Sequence, residues 1–149
     1  MKAAIEFDAA VATTLDKVNL NETLLIVTSD HGQPLAFGGF ASKGNPILGL
    51  ARDEDGVHMA EDGKPYTTLG FYTAPQTAEN GEESGRRDLS EIDTVAPDFI
   101  PPSAVPTQAV YHSGTDVAVY AAGPWSHLFN GVMDQTTIHD IIKHAMNSD

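Results

Sequence analysis

The chain has 149 residues and no cysteine, with 21 Asp and Glu against 8 Lys and Arg, for a formal net charge of -13 at pH 7. That length holds about one ordinary domain, and a hydrophobic share of 41% with 19% charged residues excludes a chain disordered throughout. The acid excess repels phosphate backbones and anionic membranes, which argues against nucleic acid and membrane as partners, while the lack of cysteine leaves any metal to His, Asp, Glu or carbonyl oxygen.

Met1 to Lys17 sets Ile5, Val11 and Leu15 with several alanines at helical spacing, and Glu6, Asp8 and Asp16 on other faces. The pattern predicts an amphipathic helix. It starts at Met1 without a capping residue or a leading loop, so the expectation is of a chain cut from something longer. Acids stand where a signal peptide would carry an apolar block, and no run of about 18 apolar residues is present to span a membrane.

After a break at Asn21 and Glu22, the unbroken apolar and β-branched run Thr23 to Thr28 predicts a strand buried on both faces. A helix followed by such a strand points to an α/β fold with a mostly parallel sheet. The strand runs into Ser29-Asp30-His31-Gly32, and in open α/β sheets ligands bind at the carboxyl ends of strands. Just past a strand end the chain can turn a carboxylate and an imidazole toward one point, and an O,N donor pair suits a zinc ion. The same two residues also read as a turn cap beside an ordinary loop histidine.

From Phe37 to about Thr107 glycine and proline are scattered and acids cluster at Asp53-Glu54-Asp55 and from Glu79 to Glu83. The stretch 74–106 reads as an irregular inserted region. Gly56 comes too early after Asp53 for an EF-hand loop, so that cluster reads as a solvated loop, with His58 among acids. Asp116 to Tyr120 predicts a second buried strand, and His112 falls in the loop before it, where a parallel sheet could bring it near Asp30 and His31. His127, in an apolar neighbourhood, reads as a hydrogen-bonded core residue. A last helix is predicted from Thr136 or Thr137 to Met146 with Ile138, Ile141 and Ile142 on one face. His139 and His144 are five apart on it, about 140° around, and cannot share a metal. No glycine-rich phosphate loop, Gly-x-Ser-x-Gly elbow or His-Glu-x-x-His pair is present.

Six collinear stretches carry a resemblance. They are Glu22 to His31 (ETLLIVTSDH), Lys43 to Gly49 (KGNPILG), Asp62 to Leu69 (DGKPYTTL), Ser103 to Pro106 (SAVP), His112 to Val119 (HSGTDVAV) and Gly123 to Gly131 (GPWSHLFNG). In order and spacing they resemble the C-terminal part of the alkaline phosphatase catalytic domain, from about Ile5 to the end. The resemblance implies a partial three-layer α/β sandwich with a mostly parallel sheet over 1–149, interrupted by the irregular region. It implies hydrolysis of phosphate monoesters through a phosphoserine, with two zinc ions and one magnesium ion. Asp30 and His31 would be ligands of the second zinc and His112 a ligand of the first. One zinc would then lower the pKa of an attacking water and the other would stabilise the serine oxygen. Such cations also reconcile an acidic protein with an anionic substrate.

The family's nucleophilic serine in its Asp-Ser-Ala motif, its phosphate-clamping arginine, its Asp-x-x-x-His zinc pair and its magnesium ligands have no counterpart in this chain. The resemblance therefore implies no catalytic nucleophile here, and partnership either as a homodimer or with the missing N-terminal portion. It also implies a periplasmic or secreted location. Gly32-Gln33 follow the Asp-His pair where the family often has a histidine two places on. Two alternatives stay open: a phosphodiesterase or phosphomutase of the same superfamily, and a non-catalytic zinc-binding or complementing fragment.

Overall fold

A computed structural model describes residues 2–75, 81–82 and 85–148. Its elements in chain order are helix α1 (Lys2–Lys17), strands β1 (Leu25–Val27), β2 (Leu35–Phe37), β3 (Arg52–Asp53), β4 (Gly56–Val57), β5 (Leu69–Ala74), β6 (Gly81–Glu82), β7 (Gly85–Arg86), β8 (Ser103–Pro106) and β9 (Tyr120–Ala122), a single 3-10 turn (Ser126–Leu128) and helix α2 (Thr136–Asn147). They fall into two compact units, Met1–His31 with Asp116–Asp149, and Gly32–Thr115.

In the first unit both predicted helices form. α2 opens where Asp134 accepts hydrogen bonds from the Thr136 amide and hydroxyl at 2.9 and 2.7 Å, and the two bonds hold the Asp134 carboxyl below its ordinary pKa. Ile141 is buried, while Ile142 remains 38% exposed. α1 forms over its predicted length but buries none of its residues. The predicted strand over Thr23 to Thr28 shortens to β1, half-buried along its length, and the predicted strand over Asp116 to Tyr120 moves toward the C-terminus to become β9. Pairing sets both corrections. β1 and β9 make an antiparallel two-stranded ribbon with Leu25 opposite Ala122 and Val27 opposite Tyr120. Beyond Val27 the ladder gives way to a side-chain bond, Thr28 Oγ1 donating to the Ala118 carbonyl at 3.1 Å.

The second unit holds a three-stranded sheet in the order β2-β5-β8, antiparallel between β2 and β5 and parallel between β5 and β8. That is the one parallel pairing among the named strands of the described residues; the architecture is mixed α/β with small sheets. Leu48, Ala51, Leu69, Ala74 and Leu89 are buried in this unit, with Pro65 enclosed beside them. The predicted irregular stretch ends on an ordered strand, β8, whereas Glu79 and Glu83 lie outside the described residues.

Arg86 ties the β7 end of that stretch to the turn at Asp62. Its Nε and Nη2 donate to the two oxygens of Asp62 at 3.1 and 2.6 Å, Nη1 and Nη2 also reach the carbonyls of Pro65 and Lys64, and Lys64 Nζ donates back to the Arg86 carbonyl at 2.6 Å. The Arg86 guanidinium, and then the Lys64 amide, hold the Asp62 carboxyl below its usual pKa. A carboxyl whose folded pKa is depressed stabilises the fold fully above its unfolded value, about 3.9, and loses that contribution as pH falls through the folded value. The Arg86 Nε–H, which donates to Asp62, is therefore expected to lose hydrogen-exchange protection only below about pH 4, and Asp62→Asn should remove that acid step.

Candidate metal centre

Asp30 and His31 lie just past β1, where the ribbon ends and the backbone is free to turn. Ser29 Oγ donates to the His31 carbonyl at 2.8 Å across that turn. Both side chains point one way, as the strand-end reading predicts: His31 Nε2 is 3.4 Å from Asp30 Oδ2, with the imidazole 31% and the carboxylate 86% exposed. That separation is long for a charge-assisted hydrogen bond, which runs at about 2.7–2.9 Å. It matches the ligand-to-ligand edge of a tetrahedral zinc site, about 3.3–3.5 Å for Zn–N and Zn–O bonds of ordinary length. The pair supplies one oxygen and one nitrogen donor at that spacing. Among the described residues no group of three or more His, Cys, Asp or Glu gathers around a metal position.

His112 is exposed and belongs to the other unit. The backbone next to it is anchored: Gly32 and Ser113 form an antiparallel bridge, with the Ser113 amide donating to the Gly32 carbonyl at 3.0 Å.

Of the remaining histidines, His139 and His144 lie on α2 and His58 lies among acids, as predicted, and His127 departs from its reading. His127 is exposed on the 3-10 turn, not in the core, and the residue that opens the turn, Trp125, is left-handed (φ 66°). Its ring and that of His144 lie 6.0 and 4.5 Å from the indole of Trp125. The acidic cluster at Asp53 is exposed, as its solvated-loop reading has it, and forms the turn of the β3–β4 hairpin. There His58 Nε2 meets Asp53 Oδ2 at 2.7 Å while its Nδ1 lies 3.4 Å from the Tyr66 hydroxyl. The His58 hydrogen bond, with the Asp55 amide, lowers the Asp53 pKa. Nothing in the residue spacing announced this chain of three groups, since it depends on the hairpin register.

Two comparisons bear on what these residues are for. The family model described as "Alkaline phosphatase" matches residues 1–148. The chain is also similar to the tissue-nonspecific isozyme of alkaline phosphatase from Gallus gallus, 37% identical over 143 residues and 96% of this chain. It is 35% identical to the Felis catus isozyme over 142 residues and 33% identical to the Homo sapiens isozyme over 142 residues, each across 95% of the chain. These alignments cover 26% of each relative, so the chain spans about a quarter of the length of the curated relatives it matches.

Proposed function

The chain belongs to the alkaline phosphatase family, and on that premise we propose that it is part of a metal-dependent phosphomonoesterase, supplying zinc ligands but not the nucleophile. Asp30 and His31 serve one zinc and His112 the other. The observation that carries the reading is the 3.4 Å spacing of the Asp30 and His31 donors at a strand end, inside a sequence that the family model matches almost throughout. Bound zinc supplies a Lewis acid and a water of lowered pKa, and magnesium, whose family ligands are not in this chain, completes the set. The contribution of the chain itself is to hold an oxygen donor and a nitrogen donor one residue apart, at the point where β1 releases the backbone to turn. A phosphate ester approaching that pair would meet the Asp30 carboxylate, whose charge bound cations would balance.

The three-layer, mostly parallel architecture, with the irregular stretch 74–106 as an insertion, belongs to this proposal as the form the domain takes when the rest of the family's length is present. So does association, as a homodimer or with the N-terminal portion. The support lies in the first unit: Ile141 is its one buried apolar residue among those described, while Ile5 and Phe7 on α1 are 62% and 57% exposed. A ribbon of two three-residue strands is marginal by itself and invites pairing. A periplasmic or secreted setting belongs to the proposal as well; among the described residues no helix is long and apolar enough to cross a membrane.

The test is hydrolysis of p-nitrophenyl phosphate by the isolated chain with zinc and magnesium, alongside light scattering. The expected result is no phosphoserine turnover and a mass above that of one chain. Metal-dependent turnover at an ordinary enzyme rate would show that the nucleophile lies within these residues, and a clean dilute monomer would overturn the association.

A further inference from the structure

We infer that Gly32 is a positioning residue for His112, acting through a clasp that Ser113 and Thr115 close over it; the inference rests on the zinc role proposed for His112. Gly32 and Thr115 are the first and last residues of their unit, so contacts between them tie its two ends together. Three observations describe the tie. The backbones of Gly32 and Ser113 are bridged, with the Ser113 amide donating to the Gly32 carbonyl at 3.0 Å. The hydroxyls of Ser113 and Thr115 are hydrogen-bonded to each other at 2.6 Å. Both hydroxyl oxygens stand 2.5 Å from where a Cβ on residue 32 would be placed. The hydroxyl pair therefore occupies the space that any side chain at position 32 would take. The demand for glycine here is steric, since its φ lies outside the left-handed region.

His112 sits one residue before this clasp, in a stretch between β8 and β9 that forms no named element. A zinc ligand must be held to within about 0.2 Å of its bond length, and a loop does not do that unaided. The Gly32–Ser113 bridge restrains the His112 backbone from the adjacent residue. At position 32, a methyl group would push against both oxygens at once. They retreat either by turning about χ1, which parts their mutual bond and loosens the Ser113–Thr115 turn beside His112, or by opening the bridge, which releases the chain at His112. Gly32 touches no reacting group; its effect is exerted through the backbone.

The experiment uses the whole chain and zinc ion as the probe, read by amide hydrogen exchange at Ser113 and by the imidazole resonances of His112. Gly32→Ala should raise Ser113 exchange by about tenfold or more, move the His112 ring resonances, and raise the zinc needed to shift them by a similar factor, as losses of ligand-orienting partners do. Removing both hydroxyls in Gly32→Ala/Ser113→Ala/Thr115→Ala makes room for the methyl and should return Ser113 protection and the His112 resonances toward their original values. Gly38→Ala, where a Cβ meets nothing within 4 Å, should leave both readouts unchanged. Unaltered Ser113 exchange in Gly32→Ala overturns the clasp, as does a triple variant that recovers nothing or an equal loss in Gly38→Ala. If zinc shifts no His112 resonance in the unmodified chain, the metal reading fails by itself, while the exchange and resonance comparison still decides whether Gly32 positions His112.

Discussion

Gly123→Ala is expected to lower the unfolding free energy by roughly 2–4 kcal/mol, combining a left-handed backbone with an overpacked contact. Gly123 ends β9 at φ +96°, a conformation that L side chains rarely adopt, and a Cβ there would collide with the Thr23 carbonyl oxygen and come within 3.3 Å of the Leu20 carbonyl oxygen. Those carbonyls belong to the turn that leads into β1, where the amides of Glu22 and Thr23 both donate to the Asn19 carbonyl at 2.9 Å. Backbone cannot swing aside as a side-chain tip can, so relief means opening the turn or detaching β9. β9 is three residues long and, among the described strands, pairs with β1 alone, so detaching it from β1 breaks its whole ladder. Urea unfolding followed by fluorescence of Trp125, the one tryptophan in the chain, reads the effect two residues from the substitution. A loss below about 0.5 kcal/mol, the range of an ordinary surface change, would mean the turn and strand are not packed as described.

The same region shows what sequence patterning carries and what it leaves out. Helical periodicity located α1 and α2 to within a residue or so, because the register of a helix is local. Strand limits depend on a partner, and the run Thr23 to Thr28 cannot say that only Leu25 to Val27 will find one opposite Tyr120 to Ala122. Continuous apolar composition read as burial on both faces, yet burial needs covering layers, and here those residues are half-buried. The Asp30-His31 pair was legible because adjacent residues need only a turn to converge. The Asp53-His58-Tyr66 chain was not, since it arises from a two-residue ladder joining Arg52 to Val57 and Asp53 to Gly56. His127 misled because apolar neighbours in sequence do not fix which way a single 3-10 turn faces. Gly32 carried no signal of its own: its meaning lies in two hydroxyls more than eighty positions away.

Asp30→Ala is expected to weaken zinc binding at the strand end by about a hundredfold or more, since loss of a direct donor exceeds the 10–100-fold cost of losing an orienting partner. Calorimetric titration of the chain with zinc measures it, and double variants give the reading its resolution. If Asp30 and His31 hold one ion, Asp30→Ala/His31→Ala should cost little more than the worse single change, because the second removal acts on a site already broken. Asp30 and His112 are proposed to hold different ions, so the effects of Asp30→Ala and His112→Ala should add, each lowering the bound zinc by its own component. Strong non-additivity between Asp30 and His112 would mean that they share one rebuilt site, which the two-zinc assignment forbids. Absence of zinc binding by the unmodified chain would mean instead that two donors at one position and one at the other bind nothing by themselves, zinc needing three or four protein ligands. In that case the titration repeated with the unaligned residues of the Gallus gallus relative present should restore binding, and Asp30→Ala should abolish what is restored. Failure in that setting too would remove Asp30 and His31 from the metal centre and leave the 3.4 Å pair as a turn.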